Sequence, residues 1–355
     1  MKARQPLGVG LIGLGYAADF HLPAVLSLPE VRLVAVADLN ENRRNAYASR
    51  HPGRSFCDYR KLLEHPAVEL VGILTPPASH LEIALAAISA GKHILLEKPI
   101  TPTLDEAHRL LAVAGSSASK ICVAYILRFV RQIRMMRELV RSGALGEIEI
   151  LRCVASTPEM LSPAGPGHRR DRAQGGGSVI ELGVHHYDLW AHLLDSQVLE
   201  VNAFSRSLQM HDQSTVVSAR MTCGTLATTS VSLCAADQYE VEVLGSRARA
   251  GASLFHFDGL EVSGAGQAAN QGARRIRQLL RGVQELPYAL RARRVGGTFR
   301  YAFRELWRHL AEAVNRDRLP EPGLRAGLES LAVAIASSQA SLTGGTIRVT
   351  GNAPT

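Results

Sequence analysis

An apolar strand that runs straight into a glycine turn is the feature that most constrains the fold of this chain. The strand spans Leu7 to Ile12, and the next six residues read G-x-G-x-x-A: Gly13, Leu14, Gly15, Tyr16, Ala17 and Ala18. The first glycine permits a tight turn, the second lets a ligand approach the backbone, and the alanine lets the next helix pack closely on the strand. The free N–H groups at that helix N-terminus bind phosphates. The motif therefore predicts a dinucleotide-binding βαβ unit.

An acid ends the second apolar strand, Leu33 to Ala37. Asp38 lies at about the spacing at which a carboxylate binds the adenosine ribose hydroxyls of NAD. The same carboxylate repels the extra phosphate of NADP, so NAD is the predicted cofactor. Two arginines nearby, Arg43 and Arg44, can bind that phosphate, which leaves NADP open as the alternative. A turn residue at a strand end is the structural alternative for Asp38.

Two further strands end in residues that could form part of a ligand-binding site. Val68 to Leu74 is nearly all apolar and closes in Thr75-Pro76-Pro77, where two prolines force an extended exit. His93 to Leu96 ends in Glu97-Lys98-Pro99. Because open α/β sheets bind ligands beyond the carboxyl ends of their strands, Lys98 is predicted to enter that crevice. A solvated loop lysine is the alternative.

Strands and helices alternate in the first part of the chain, whereas strands follow one another in the second. The fold class predicted is an α/β Rossmann doubly wound parallel sheet plus a C-terminal α+β domain with a large open, mainly antiparallel sheet. The predicted domains are residues 1–124 and 125–355 of the 355.

Between the first two strands of the second part lies a triple glycine, Gly175 to Gly177, followed by a helical pattern. At helical spacing Glu181, His185 and Asp188 fall on one face. A carboxylate one turn from an imidazole orients the ring and raises its basicity, which a proton-transferring histidine needs near neutral pH. A histidine that is merely hydrogen-bonded within the helix is the alternative for His185.

Together these motifs resemble the Gfo/Idh/MocA family, named for glucose-fructose oxidoreductase, inositol dehydrogenase and a rhizopine-catabolism protein. The likeness extends over nearly the whole chain. It is carried by the glycine turn with His21, Asp38, Thr75-Pro76-Pro77 with His80, Glu97-Lys98-Pro99, Arg128-Phe129, the triple glycine, the Glu181 to Asp188 run, and Ser337 to Gly344. The Glu-Lys-Pro end and the carboxylate-x-x-x-His helix are specific as a pair.

The resemblance implies roles for individual residues. Lys98 is expected to hydrogen-bond the reacting oxygen and His185 to remove the hydroxyl proton, with Glu181 as its partner. The Lys98–Pro99 bond is expected to be cis, and Arg128 to contact substrate. Two residues depart from the family pattern, since Glu181 stands where Asp is usual and Ile126 where many relatives carry Asn. The expected cofactor contacts are Gly13, Gly15, Tyr16, Ala17, Ala18, Asp38, Thr75, Pro76, His80, Glu97 and Lys98.

The function that the resemblance implies is an NAD(P)-dependent oxidoreductase that interconverts a secondary alcohol and a ketone on a sugar, an inositol or a sugar nucleotide. Two alternatives are open. One is a lyase or glycosidase that keeps NAD bound and uses transient oxidation, and the other is a non-catalytic dinucleotide sensor. The family's open sheet commonly builds dimers or tetramers, so a homodimer or homotetramer is expected.

The composition indicates the class of protein and its cellular location. Apolar residues make up 46% and charged residues 20%, as in a globular enzyme. The five cysteines form no C-x-x-C pair, so we expect reduced thiols, a cytoplasmic location and no metal site. No apolar run is long enough for a membrane span, and the N-terminus does not resemble a signal peptide.

A basic segment accounts for much of the net charge of +8. Residues 271–304 carry nine arginines against one acid, Glu285, with leucines interleaved. A solvated helix face is the commonest meaning of such a run. Two sharper interpretations are phosphate binding to a nucleotide-linked sugar and contact with an anionic membrane surface. A nucleic-acid partner is not expected, because the excess does not lie along an amphipathic recognition helix.

Overall fold

The structure, a computed structural model, describes residues 5–51, 53–161, 170, 176–256, 259–264 and 271–350, with the side chains of 271–279 and 281 left out. The chain divides into two compact units. The first comprises residues 1–126 and 299–328, and the second comprises residues 127–298 and 329–355. In the described part of the chain, no helix is both long enough and apolar enough to cross a bilayer.

The first unit is built on a parallel sheet of six strands in the order β3-β2-β1-β4-β5-β6. The strands are β1 (Leu7–Ile12), β2 (Val31–Ala37), β3 (Arg54–Phe56), β4 (Leu70–Ile73), β5 (His93–Leu96) and β6 (Ile121–Val123). Every residue of β1 and β4 is buried, as expected for central parallel strands covered on both faces. The predicted doubly wound sheet is confirmed.

Helices connect these strands. They are α1 (Ala18–Leu26), α2 (Glu41–Ala48), α3 (Tyr59–Leu63), α4 (His80–Ser89) and α5 (Leu104–Gly115). Asn40 caps α2 and Thr103 caps α5, and each side chain accepts a hydrogen bond from a backbone N–H of the first turn. Helices with such starts follow the strands after turns of a few residues, which is what a βαβ unit requires.

The predicted boundary at 124/125 lies close to the observed division after Ile126, but it assigns residues 299–328 to the wrong unit. These residues contain most of α9 (Thr298–Asn315) and the first turn of α10 (Leu324–Thr343). Helix α9 packs on the first unit because Trp307, fully buried, lies against β4 beside Gly72. A contact between positions so far apart in the chain leaves no local pattern in the sequence.

The second unit contains a sheet of eight strands in the order β13-β12-β11-β7-β10-β9-β8-β14. Its strands are β7 (Ile148–Ser156), β8 (Val198–Arg206), β9 (Ser214–Met221), β10 (Leu226–Ser232), β11 (Gln238–Gly245), β12 (Ala248–Ser253), β13 (Leu260–Gly264) and β14 (Ile347–Arg348). Among the described strands of this eight-stranded sheet, only the β7–β10 pair is parallel. In β9, Val216 is 49% exposed and Val217 is fully buried, so one face of the sheet is wet.

The remaining helices of the second unit are α6 (Arg131–Arg141), α7 (Val184–Leu194) and α8 (Gln271–Arg294), together with most of α10. The α-helix predicted over Glu181 to Asp188 is wrong in its first turn, because Val179–Gly183 form a π-helical turn before α7 begins. Gly177 precedes that turn with a φ of +95°, a backbone conformation that favours glycine. Gly175, also part of the predicted motif, lies outside the described residues.

Candidate active site

The sequence motifs of the first unit come together along one edge of its sheet. Ile12 of β1 is paired with Ala37 of β2 and with Ile73 of β4. Ile73 is paired in turn with Leu96 of β5. Because these four paired residues are all at strand ends, the residues that follow them lie in one row: Gly13, Asp38, Leu74 and Glu97. The carboxyl edge of a parallel sheet is where such folds bind ligands.

The glycine turn fits the phosphates of a dinucleotide. Gly13 has a φ of +96°, and a Cβ there would come within 2.9 Å of the Leu74 backbone. At Gly15 a Cβ would meet only the Arg43 guanidinium, at 3.6 Å, so the backbone is open to a ligand on that side. Ala17 and Ala18 begin α1, and Ala18 is buried against the sheet. The small side chains keep the helix N-terminus close to the strand end.

Asp38 joins the second strand to the glycine turn. Its Oδ2 accepts a hydrogen bond from the Leu14 N–H at 2.6 Å, and its Oδ1 accepts one from the Asn40 N–H at 2.7 Å. An ionised carboxylate has about four acceptor positions, so two remain for ribose hydroxyls. The Arg43 guanidinium, half exposed, lies 3.7 Å from Oδ2. Arg44 donates to the Asp38 carbonyl at 2.7 Å.

The exit of β4 is held by a buried histidine. The two ring nitrogens of His80 lie 2.8 Å from the Thr75 carbonyl oxygen and 2.8 Å from the Pro99 carbonyl oxygen. Burial lowers the pKa of His80, and the backbone hydrogen bonds only partly oppose this effect. The ring therefore ties the exits of β4 and β5 together, which places Thr75 and Pro76 beside the Glu97-Lys98-Pro99 turn.

Glu97 is the centre of a hydrogen-bond chain. Its Oε1 accepts from Nε2 of His21 at 2.8 Å, and its Oε2 accepts from the backbone N–H of Lys98 at 3.0 Å. Nδ1 of His21 accepts in turn from the indole N–H of Trp307 at 3.0 Å. Sequence reasoning placed Glu97 at the cofactor but missed Trp307, for which the sequence carries no local signal.

Charge at this turn is set by the same contacts. Burial on its own would raise the pKa of Glu97, but the hydrogen bond with His21 and the neighbouring Lys98 outweigh it and lower the pKa to about 2. Glu97 is therefore a carboxylate throughout the neutral range. Lys98 is half buried, and the Lys98–Pro99 peptide bond is cis, which confirms the conformation expected from the family resemblance.

In the second unit, Arg128 and Asp188 form a bidentate ion pair. Nε of Arg128 donates to Oδ2 at 2.8 Å and Nη2 donates to Oδ1 at 2.6 Å. The Asp188 side chain is 1% exposed and the Arg128 side chain 12%. Sequence reasoning put Asp188 on the His185 face and assigned Arg128 to substrate, but it missed the pair. Its geometry fixes the Arg128 guanidinium beside the start of α7.

The histidines of this segment have different surroundings. His185 lies in the first turn of α7 and is half buried, whereas His186 is fully buried. Nδ1 of His186 is 2.5 Å from the Thr229 hydroxyl oxygen, and burial lowers the His186 pKa to about 3. The π-helical turn closes i to i+5 hydrogen bonds, so Glu181 does not precede His185 by a regular α-helical turn. Glu181 itself is buried.

His192 lies beside arginines of the second unit. Burial lowers its pKa to about 2, and the charges of Arg128, Arg137 and Arg134 add to that effect. Nη1 of Arg137 lies 3.0 Å from Nε2 of His192. The neutral ring is therefore part of the packing of this unit.

A glycine turn, an acid at the end of the second strand and a buried carboxylate-lysine turn on one sheet edge define an NAD-binding oxidoreductase domain. The family models agree with this class. "Oxidoreductase family, NAD-binding Rossmann fold" matches residues 7–125, and "GFO/IDH/MocA C-terminal domain" matches residues 133–250. The chain belongs to the Gfo/Idh/MocA family of oxidoreductases.

Curated relatives carry names from the same chemistry. Over 251 residues the chain is 26% identical to a myo-inositol 2-dehydrogenase of Thermotoga maritima, covering 68% of this chain and 73% of that protein. Over 208 residues it is 30% identical to a D-glucoside 3-dehydrogenase of Escherichia coli, covering 57% and 58%. Across the first four relatives, the matches span from 49% to 76% of each relative's own length.

Solved structures agree on the fold. A levoglucosan dehydrogenase in complex with NADH superposes with a TM-score of 0.84 at 20% identity, covering 97% of this chain and 99% of that one. An oxidoreductase domain protein from Kribbella flavida superposes with a TM-score of 0.82 at 23% identity, covering 98% and 100%. The predicted combination of a Rossmann sheet and an open antiparallel sheet is therefore confirmed.

Proposed function

We propose that the protein interconverts a secondary alcohol and a ketone on a sugar, an inositol or a sugar nucleotide. The observation that carries this proposal is the position of Lys98 on the sheet edge that also holds the glycine turn and Asp38. A lysine there serves a reaction beside the nicotinamide end of a dinucleotide. The names of the relatives, which include dehydrogenases of myo-inositol and of a D-glucoside, support the substrate class.

In the proposed reaction, the protein residues bind the substrate and transfer the proton, whereas the cofactor accepts the hydride. Bound NAD supplies the hydride acceptor. Lys98 donates a hydrogen bond to the substrate oxygen, which holds the carbinol carbon in position and stabilises negative charge on that oxygen. His185 takes the hydroxyl proton as the C–H hydride leaves, so that alcohol becomes ketone. In the proposal, Glu181 supports His185 and Arg128 contacts the substrate.

NAD is the proposed preferred cofactor. Two acceptor positions of the Asp38 carboxylate are taken by backbone N–H groups, which leaves about two for the ribose hydroxyls of NAD. The negative charge opposes a 2′-phosphate. Arg43 lies beside the same carboxylate, and it can bind the 2′-phosphate of NADP when that carboxylate is removed.

Homo-oligomer formation is also part of the proposal. On the open sheet, Phe204 of β8 is 73% exposed and the neighbouring Val216 of β9 is 49% exposed. Large exposed apolar side chains on one sheet face are typical of protein interfaces. Sedimentation analysis of the wild type and of Phe204→Ser tests this part separately from the enzyme activity.

The test of function is a substrate screen with a redox readout. Purified protein is incubated with NAD or NADP and with myo-inositol, glucosides, levoglucosan or dTDP- and UDP-linked sugars. We expect net NADH formation with at least one of them. A lyase or glycosidase that recycles its NAD would form product without net NADH, and a sensor would bind dinucleotide without turnover. Either result would overturn the proposal.

A further inference from the structure

Helix α8 exposes a stripe of apolar side chains. Leu280, Val283, Leu286 and Leu290 are 60%, 70%, 50% and 53% exposed, and Pro287 in the same stretch is exposed as well. Their spacing of three and four residues puts them on one side of the helix. Scattered exposed leucines need no explanation, but a continuous stripe of them marks an interaction surface.

The opposite side of α8 faces the protein, and it is the polar side. Arg131 binds Glu285 with two hydrogen bonds, Nε to Oε2 at 2.5 Å and Nη2 to Oε1 at 3.0 Å. The Arg131 guanidinium also lies over the Tyr288 ring, 5.4 Å from its centre, and Ala292 is 3% exposed. An ordinary surface helix turns its apolar stripe inward. Helix α8 is therefore held in the reverse orientation by its one acid and its small residues.

Positive charge accompanies the stripe. The helix carries one acid, which is already bound to Arg131, and seven arginines: Arg274, Arg275, Arg277, Arg281, Arg291, Arg293 and Arg294. Arg291, Arg293 and Arg294 are exposed. The surface offered to a partner is thus apolar along its middle and cationic at its end.

We propose that α8 docks the protein on an anionic lipid surface, with the apolar stripe in the headgroup and acyl-chain boundary and the arginines at the phosphates. A helix with apolar residues on one face and arginines beside them is suited to lie in this interface. Long basic side chains reach the headgroups while their stems stay among the acyl chains. The attraction increases with the anionic lipid content and decreases with salt.

The charge of α8 favours a lipid surface over a second copy of the helix, a nucleic acid or a sugar nucleotide. A second copy of α8 packed on the stripe would bring arginines against arginines with no acid to pair them, which opposes association. Nucleic acid or the phosphates of a sugar nucleotide would use the arginines but leave the leucines in water. A lipid surface uses both features, so it accounts for the exposed side chains that the structure describes on the helix.

The experiment is vesicle flotation with the full chain. Vesicles of phosphatidylcholine alone are compared with vesicles that contain about one-third phosphatidylglycerol, at low and high salt. We expect binding to the anionic vesicles only, with strong reduction at high salt. Equal binding to neutral vesicles, or none to anionic ones, would overturn the proposal.

Two variants separate the parts of the surface. Val283→Gln with Leu286→Gln removes the middle of the stripe, and Arg293→Gln with Arg294→Gln removes charge. Each pair is expected to weaken vesicle binding about tenfold or more. The matched control is Leu319→Gln with Leu342→Gln, two leucines that are 80% and 74% exposed elsewhere. Vesicle binding of this control should equal that of the wild type, and an equal loss in it would overturn the proposal.

Four further measurements test this interpretation. Thermal unfolding and NAD binding of all variants are expected to match the wild type, so that lost vesicle binding does not reflect misfolding. Sedimentation of the stripe variant is expected to match the wild type, and a change of oligomeric state would assign the surface to a second copy instead. UDP binding that is lost in the arginine variant while vesicle binding persists would assign the arginines to a nucleotide.

Discussion

The indole N–H of Trp307 donates a hydrogen bond to Nδ1 of His21, with 3.0 Å between the two nitrogens. An indole N–H only donates, so Nδ1 of His21 must be an acceptor and the ring proton lies on Nε2, which donates to Glu97. The ring is thus held with Nδ1 toward Trp307 and Nε2 toward Glu97. Glu97 keeps its full negative charge, next to Lys98, and its second oxygen holds the Lys98 backbone N–H.

Removing the indole donor is expected to slow turnover. In Trp307→Phe, Nδ1 of His21 loses its hydrogen-bond donor, so the ring is no longer fixed with Nε2 toward Glu97. The turn that carries Lys98 is then held less firmly, and we predict a fall in kcat of about tenfold. The rate of NADH formation with a substrate found in the screen measures it.

The matched control for that variant is Phe303→Leu. The Phe303 ring lies edge-on to His21 with 4.7 Å between ring centres but makes no hydrogen bond to it. Its replacement changes the packing around His21 and leaves the hydrogen-bond chain intact. An equal fall of kcat in Phe303→Leu would show that packing around His21, and not the indole donor, holds the turn.

Stability should depend on Glu97 in a predictable pH window. The folded-state pKa of about 2 lies below the ordinary 4.5, so Glu97 stabilises the fold above about pH 4.5, and this contribution is lost as the pH falls toward 2. The shift corresponds to roughly 3 kcal/mol of unfolding free energy. Urea unfolding of Glu97→Gln and wild type should differ at neutral pH and converge in acid. Glu82→Gln, at an exposed site, should show no such convergence.

Sequence reasoning reached the elements of the first unit because the signals there are local. The glycine turn, Asp38 and the apolar strands each lie within a few residues of the structure that they specify. The hydrogen-bond chain from Trp307 to Glu97 joins three segments that are far apart in the sequence. No periodicity or motif in the sequence predicts it. The same reason explains why α9 was assigned to the wrong unit.

For the second unit, the sequence predicted the outline of the fold but not its details. The succession of strands predicted a large open, mainly antiparallel sheet, which the structure confirms. The π-helical turn before α7 was missed, because helical spacing alone does not distinguish π from α geometry over five residues. The Arg128 pair with Asp188 depends on tertiary packing, which the sequence pattern does not encode.

Cofactor preference should move when the Asp38 carboxylate is removed. In Asp38→Ser, NAD loses a charged acceptor for its ribose hydroxyls, while Arg43 is released from its neighbour at 3.7 Å and can approach a 2′-phosphate. We expect the ratio of kcat/KM for NAD over NADP to fall about tenfold to a hundredfold. The double variant with Arg43→Ala should lose the gain with NADP. An unchanged ratio in Asp38→Ser would show that this carboxylate does not select the cofactor.

Breaking the ion pair of Arg128 and Asp188 should destabilise the second unit. Asp188→Asn leaves the Arg128 charge in a largely buried position, and such losses are typically about 3–5 kcal/mol. Replacing both residues with leucine removes the stranded charge and should recover part of the loss. The unfolding free energies of Arg128→Leu, Asp188→Leu and the double leucine variant give the coupling. Additive effects would contradict the pairing.

The most direct test of the whole account is a comparison of binding and turnover in Lys98→Ala. Lys98 is proposed to bind the reacting oxygen, whereas the dinucleotide is proposed to bind at the glycine turn, so the variant should bind NADH with nearly the wild-type Kd. Its single-turnover rate of NADH formation should fall by about a hundredfold or more. Wild-type turnover in Lys98→Ala would contradict the account, as would loss of NADH binding in step with the loss of rate.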